Sequence, residues 1–200
     1  MAERQTGMLG CRIILASNSP RRKELLAQLG FDFKVVVNQV DETFAPDLKP
    51  VEAVRFIAEK KARGFVGKIG LRELVVAADT IVVLNNDVIG KPTNKEHAVE
   101  LLKRLSGKKH QVITAVAIME ADGALHVVHE TTDVYFRELT TSEITFYVDH
   151  FQPYDKAGAY GIQDWIGLAA VEKITGSYTN VVGLPTEALY TTLKRLAAMQ

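Results

Sequence analysis

The chain has 200 residues, 47% of them hydrophobic and 24% charged, with 24 Lys plus Arg against 24 Asp plus Glu. This composition excludes a disordered chain and leaves no net charge to draw in nucleic acid or an anionic membrane, so any phosphate binding must be local. The single cysteine, Cys11, excludes a disulfide framework within the chain. Residues 1–11 lack the apolar core of a secretory signal, and no apolar run reaches the roughly 20 residues that span a bilayer. The expectation is a cytoplasmic protein forming one domain over residues 1–200, with neither a membrane nor a nucleic acid as partner.

Residues 12–16 (RIILA) are apolar and β-branched, which predicts a buried strand. Ser19 suits a helix N-cap and Pro20 the first helical position, and a helix through Leu25, Leu26 and Leu29 stops at Gly30. Residues 33–37 predict a second strand, followed by a loop with Asp41, Glu42, Pro46, Asp47 and Pro50. Val54, Ile57, Ala58, Ala62 and Phe65 recur at helical spacing. Residues 74–78 read as a strand ending in Asp79-Thr80, and residues 81–84 continue it. Asn85-Asn86-Asp87 signals a turn. Thr93-Asn94-Lys95-Glu96 matches a capping box before a helix through Leu101, Leu102 and Leu105, closed by Gly107. Two strand-like runs, 111–119 and 124–136, flank the hairpin signal Asp122-Gly123. Thr140-Thr141-Ser142-Glu143 is a second capping box, opening a short helix to about residue 148. Residues 151–165 read as loop, 168–174 as a strand, and Pro185 opens a final helix ending near Met199. Alternating helices and strands with one hairpin predict an α/β sandwich on a mixed sheet.

Ser17-Asn18-Ser19-Pro20-Arg21-Arg22-Lys23 places two hydroxyls and two arginines where a strand meets a helix N-terminus. Basic residues in a first turn oppose the helix dipole, so they do not serve the helix. Free N–H groups, hydroxyls and guanidiniums together form an anion cradle; the plainer alternative is a capped helix with solvated arginines. Asp79 follows an apolar strand where such strands open onto ligand crevices, and a carboxylate there suits a general base or a metal ligand, or a turn cap. Glu42 could be a second hard-oxygen ligand, or part of a solvated acidic turn. Lys61, Lys91 and Lys156 each read alone as surface charge, although Lys91 and Lys156 lie in Gly-containing loops. Gln163 carries an amide able to read a base edge. His126 and His129, three apart in a strand, face opposite sides and cannot easily share a metal. Walker A, GxGxxG, HExxH, GxSxG and paired CxxC motifs do not occur in the sequence.

Ser17-x-Ser19-Pro20-Arg21-Arg22-x-Glu24-Leu25-Leu26, Asp41-Glu42-Thr43, Glu59-Lys60-Lys61-Ala62, Ala78-Asp79-Thr80, Gly90-Lys91-Pro92 and Lys156-Ala157-Gly158-Ala159-Tyr160-Gly161-Ile162-Gln163 occur in that order. Together with Gly176-Ser177-Tyr178 and Val182-Gly183-Leu184-Pro185 they resemble the Maf family of nucleoside triphosphate pyrophosphatases, the septum-formation inhibitor-like proteins. The resemblance implies a mixed-sheet α/β/α sandwich with two lobes around a cleft, like the inosine triphosphate pyrophosphatases. It implies hydrolysis of a nucleoside triphosphate between the α- and β-phosphates, a divalent cation (Mg²⁺ or Mn²⁺) and a homodimer. Arg21, Thr80 and Gln163 resemble the dTTP/UTP branch rather than the branch acting on 7-methyl-GTP.

On that resemblance Asp79, Glu42, Lys61 and Lys91 are the expected catalytic residues, with Glu42 and Asp79 also holding the metal. Ser17, Ser19, Arg21, Arg22, Thr80, Lys156 and Gln163 are expected to bind substrate. The rival readings are a nucleotide-binding regulator of cell division without turnover, and a nucleic-acid module built on Arg21-Arg22-Lys23. Zero net charge disfavours the second.

Overall fold

The computed structural model describes residues 10–45 and 47–198. Its elements are β1 (Arg12–Leu15), α1 (Pro20–Gln28), β2 (Phe33–Val35), α2 (Pro50–Arg63), β3 (Glu73–Leu84), β4 (Asp87–Ile89), α3 (Lys95–Leu105), β5 (Lys109–Met119), β6 (Leu125–Phe136), α4 (Thr141–Phe151), α5 (Trp165–Ala170), β7 (Val171–Thr175), α6 (Tyr178–Val182) and α7 (Thr186–Ala197), with a 3₁₀ turn at Ala157–Ala159. Among the described residues the strand order is β2-β1-β3-β5-β6-β7, and β4 pairs with β3. β1 is parallel to both β2 and β3, whereas β3–β4 and β6–β7 are antiparallel, so the sheet is mixed as expected.

The chain groups into two compact units. The first takes in Met1–Asp79, Thr114–Glu130 and Gly183–Gln200; the second takes in Thr80–Ile113 and Thr131–Val182. Each has its own apolar core. In the first, Ile13 and Leu15 of β1 and Leu74, Val76 and Ala78 of β3 bury one strand face against Leu26 of α1 and Leu189 and Leu193 of α7. In the second, Leu101, Leu102 and Leu105 of α3 pack with Ile144, Tyr147 and Val148 of α4 and with Tyr160 and Ile162. Leu26 is fully buried, so Leu26→Ala would cost about 3 kcal/mol through lost transfer energy and the cavity left behind.

Side-chain caps set the starts of α1, α3 and α4. The Ser19 hydroxyl accepts the Arg22 N–H at 3.4 Å with Pro20 in the first helical position, and Thr140 and Glu143 cap α4 reciprocally. Two expectations need correction. Asn94, not Thr93, caps α3: its Oδ1 accepts the His97 N–H at 2.8 Å, while Thr93 bonds the His97 ring. The expected strand 168–174 starts as the short helix α5, and only Val171–Thr175 is strand. An apolar run of this length does not separate helix from strand. Asn85-Asn86 is the two-residue turn of a β3–β4 hairpin, with φ of 51° and 71°, a pairing that the turn signal alone does not reveal. Pro46 and Met199, read as a turn former and a helix end, lie outside the described residues.

Candidate functional site

β3 does not end at Asp79; its parallel neighbour ends beside it. The β1–β3 register stops at Leu15↔Val76, and the Ala16 N–H makes a last bond to the Val76 carbonyl. From there β1 turns into the Ser17–Pro20 segment that opens α1, and β3 runs on to Leu84. Asp79 thus lies past the carboxyl end of a parallel strand, the place where α/β sheets present ligand-binding groups. The Asp79 side chain is 13% exposed. Strand alternation turns Thr80 to the opposite face of β3.

Lys61, in the last turn of α2, gathers the acidic groups. Its Nζ donates to Asp79 Oδ1 at 2.7 Å and pairs with Glu42 Oε1 at 2.9 Å, with the lysine side chain 14% exposed and Glu42 half exposed. The neighbouring Lys60 pairs with Asp41 at 3.5 Å. Asp41 shapes the turn: its Oδ1 accepts the Thr43 N–H at 3.0 Å and its Oδ2 the Thr43 hydroxyl at 2.7 Å, and these bonds hold its carboxyl below the usual range. In Asp41-Glu42-Thr43, therefore, Asp41 and Thr43 build the turn and Glu42 is presented by it. Asn38 anchors the same loop to α2 through Nδ2 to the Gly64 carbonyl at 2.8 Å.

The Ser17–Arg22 segment forms a donor array. Ser17 Oγ accepts from the Ser19 N–H at 3.2 Å and from Arg22 Nη1 at 3.3 Å. A hydroxyl has two acceptor lone pairs and one proton, so this arrangement leaves the buried Ser17 O–H as a donor for an anion. Arg22 Nε is fixed by the Gly183 carbonyl at 2.8 Å, just before α7. Burial pushes the Arg22 guanidinium down; the Asp79 and Glu42 carboxylates push it up.

In the second unit, the Gly158 N–H donates to the Gly90 carbonyl at 3.0 Å, joining the loops that carry Lys156 and Lys91. Gly158 has φ of +69°, and a Cβ there would lie 3.0 Å from Val82, so both backbone and packing call for glycine. Lys91 is exposed, whereas Lys156 is 14% exposed. Lys156 Nζ donates to Asp155 Oδ1 at 2.8 Å and lies 3.8 Å from Asp164 Oδ2. The exposed Gln163 borders a shallow pocket of about 340 Å³ with Leu168, Val171, Ile174 and Tyr178.

The structure thus brings Ser17, Ser19 and Arg22 together, groups Lys61 with Glu42 and Asp79, and links the Lys91 and Lys156 loops. Arg21 stands half-buried in the first turn of α1. Two further polar residues, Tyr147 and Asp164, support the Lys156–Gln163 loop: the Tyr147 hydroxyl donates to Asp164 Oδ2 at 2.8 Å and accepts the Gly161 N–H at 3.1 Å. Tyr147 reads as core from its helical spacing with Ile144 and Val148, and Asp164 stands one residue beyond the motif. His126 Nε2 bonds Glu120 at 2.8 Å across the β5–β6 hairpin. Burial pushes the Cys11 thiol up, which disfavours a thiolate nucleophile.

Among the described residues, groups of three or more His, Cys, Asp or Glu side chains able to hold a metal do not occur, so a closed protein cage is not offered. The pair Glu42 and Asp79 suits a different binding style. Mg²⁺ commonly takes one or two carboxylates, keeps waters and uses substrate phosphates for the rest. Two hard-oxygen donors around one ammonium therefore fit such an ion.

A protein-family model described as Maf-like protein matches residues 12–196. A dTTP/UTP pyrophosphatase of Flavobacterium johnsoniae is 45% identical over 185 residues, covering 92% of this chain and 95% of the relative. One of Bacteroides fragilis is 48% identical over 186 residues, covering 92% and 96%. In fold, the chain is similar to a HAM1 protein from Coxiella burnetii, with a TM-score of 0.51 at 19% identity over 92% of this chain and 99% of that one. Motif order, the match over nearly the whole chain and identity near one half agree: the chain belongs to the Maf family.

Proposed function

We propose that this protein hydrolyses dTTP and UTP to the monophosphate and pyrophosphate. The observation that carries the reading is the ammonium of Lys61 held between the carboxylates of Glu42 and Asp79, in the same unit as the Ser17–Arg22 donor array. A triphosphate bears about four negative charges and its cleavage loads more onto the leaving group, so catalysis rests on positioning and charge stabilisation. Relatives near half identity bear the name dTTP/UTP pyrophosphatase, and Arg21, Thr80 and Gln163 are the residues by which the sequence resembles that branch.

Arg22 and the hydroxyls of Ser17 and Ser19 hold phosphate oxygens. Asp79 takes a proton from the water that attacks the α-phosphorus, and the bond to the β-phosphate oxygen breaks. Lys61 and Lys91 offset charge on the departing pyrophosphate, and Lys156 contacts phosphate. Gln163, with an amide that donates and accepts at once, pairs with a base edge presenting two carbonyls around an N–H, and Arg21 and Thr80 complete the preference. Glu42 and Asp79 would hold a divalent cation, Mg²⁺ or Mn²⁺, whose chemistry is to acidify bound water and offset phosphate charge. Uracil and thymine share the pattern, so both nucleotides fit one site. A role in clearing modified pyrimidine nucleotides would use the same groups. The homodimer and the cytoplasmic location belong to this reading as well; light scattering of the purified chain tests the first.

Pyrophosphate release from dTTP, UTP, CTP, GTP, ATP and 7-methyl-GTP with Mg²⁺ or Mn²⁺ tests the activity. Turnover of dTTP and UTP above the others is expected. Turnover of 7-methyl-GTP alone would overturn the roles of Arg21, Thr80 and Gln163, and tight binding without turnover of any of the six would leave a regulator.

A further inference from the structure

The loop from Lys156 to Asp164 folds around one point. A Cβ on Gly161 would lie 2.7 Å from Asp164 Oδ2, 2.9 Å from Gln163 Nε2 and 3.0 Å from Lys156 Cε. Three side chains, two of them in the substrate-binding set, therefore crowd the Cα of this glycine, and its backbone is their common pivot. That pivot is held from below by a buried residue of another element. Tyr147 of α4 has no exposed surface, and its hydroxyl makes two bonds: it accepts the Gly161 N–H at 3.1 Å and donates to Asp164 Oδ2 at 2.8 Å. Burial, with the Asp164 carboxylate adding to it, keeps the phenol protonated and so able to donate.

We propose that Tyr147 is a positioning residue for substrate recognition. Its hydroxyl clamps Gly161 and Asp164, and so fixes the placement of Lys156 and Gln163. The proposal rests on the reading that those two residues contact the nucleotide. The physical reason is a competition for Asp164. Oδ2 of this carboxylate takes a short bond from the neutral phenol, and the Lys156 ammonium stands 3.8 Å from the same oxygen. Without the phenol, a carboxylate that is 17% exposed has the ammonium as its strongest available partner, and closing that gap pulls Lys156 toward Asp164. The same loss frees the Gly161 N–H and lets the pivot turn. Gln163 then reads the base from a less fixed position, and a site that discriminates by hydrogen bonds loses discrimination when its donors and acceptors move.

Tyr147→Phe keeps the ring and removes only the hydroxyl. The control is Tyr160→Phe, which removes a buried phenol bond of 2.8 Å, made to His110 from the residue before Gly161. Three readouts separate the outcomes: the melting midpoint, the ratio of kcat/KM for UTP over CTP, and hydrogen exchange at the Gly161 amide. For Tyr147→Phe the expected result is a UTP/CTP ratio lowered about tenfold, chiefly through KM for UTP, with faster exchange at Gly161. For Tyr160→Phe the expected result is a lowered midpoint with the ratio kept. A Tyr147→Phe variant with an unchanged ratio, or with Gly161 exchanging as in the parent, would overturn the clamp. A parent protein that hydrolyses none of the triphosphates would instead end the proposed function, and the amide exchange would still decide whether Tyr147 holds the loop.

Discussion

Two lysines in this molecule have nearly the same surroundings and different bonding. Lys61 and Lys156 are each 14% exposed, and each stands between one exposed and one largely covered carboxylate: Glu42 at 51% and Asp79 at 13% for the first, Asp155 at 55% and Asp164 at 17% for the second. Lys61 binds both carboxylates directly, at 2.9 and 2.7 Å. Lys156 binds only Asp155 closely, at 2.8 Å, and stands 3.8 Å from Asp164, whose Oδ2 takes the Tyr147 hydroxyl. The difference separates two uses of a buried ion pair. At Lys61 the ammonium answers both carboxylates directly. At Lys156 a neutral donor satisfies the acid, and the lysine is held in place without being bound tightly to it.

The comparison breaks first at Asp79. Asp79→Asn keeps the shape and removes the carboxylate proposed as proton acceptor, so pyrophosphate release from UTP should fall about a thousandfold in a variant that still folds. Turnover equal to the parent's would remove Asp79 from the chemistry.

A second difference is titratable. The Lys156 loop contains Tyr160, whose hydroxyl meets the buried His110 at 2.8 Å, and burial pushes that imidazole from 6.5 down to about 4. Because the folded value is the lower one, the unfolded chain takes the proton first as pH falls. Stability should therefore drop between pH 6.5 and about 4, by about 3 kcal/mol in all. His110→Phe removes the titrating group, and its melting midpoint should fall less steeply over that window. An identical slope in parent and variant would assign the acid sensitivity elsewhere.

The third test compares the lysines themselves. Lys61→Met leaves a buried carboxylate without its counter-charge, and should cost about 2 kcal/mol, reduced from the fully buried case because Glu42 is exposed. Lys156→Met leaves Asp164 with its tyrosine and should cost less than about 1 kcal/mol. Urea unfolding of the two variants checks the order, and equal losses would erase the distinction. Mn²⁺ should restore stability to Lys61→Met more than to Lys156→Met, since only the first leaves two carboxylates that both bound the ammonium directly, whereas Asp164 keeps its bond from Tyr147.

Much of this was readable without coordinates. Ser19 before Pro20, Thr140 with Glu143 and Gly30 after Leu29 name helix ends, because a cap is a contract among residues within one turn. The strand at residues 168–174 failed for the complementary reason. Its apolar run fits either element, and helix α5 followed by β7 is settled by packing in the second unit. The site divides in the same way. Asp79, Lys61, Glu42 and Gln163 stand out in the motifs, but Tyr147 does not, since a tyrosine at core spacing looks like any other apolar helix residue.

What the amino-acid order determined by itself was therefore local or cumulative: the caps, the turns, the apolar periods, and a set of motifs whose order marks a family. Tertiary structure decided what depends on approach between distant segments. It set the early end of β1 beside Asp79, the bridge from Lys61 to Glu42 and Asp79, and the grip of a buried phenol on Gly161. Hydrogen bonds and ion pairs act over about 3 Å. Residues 18 apart, such as Lys61 and Asp79, or 14 apart, such as Tyr147 and Gly161, reach that distance only after strand order and helix packing have placed them.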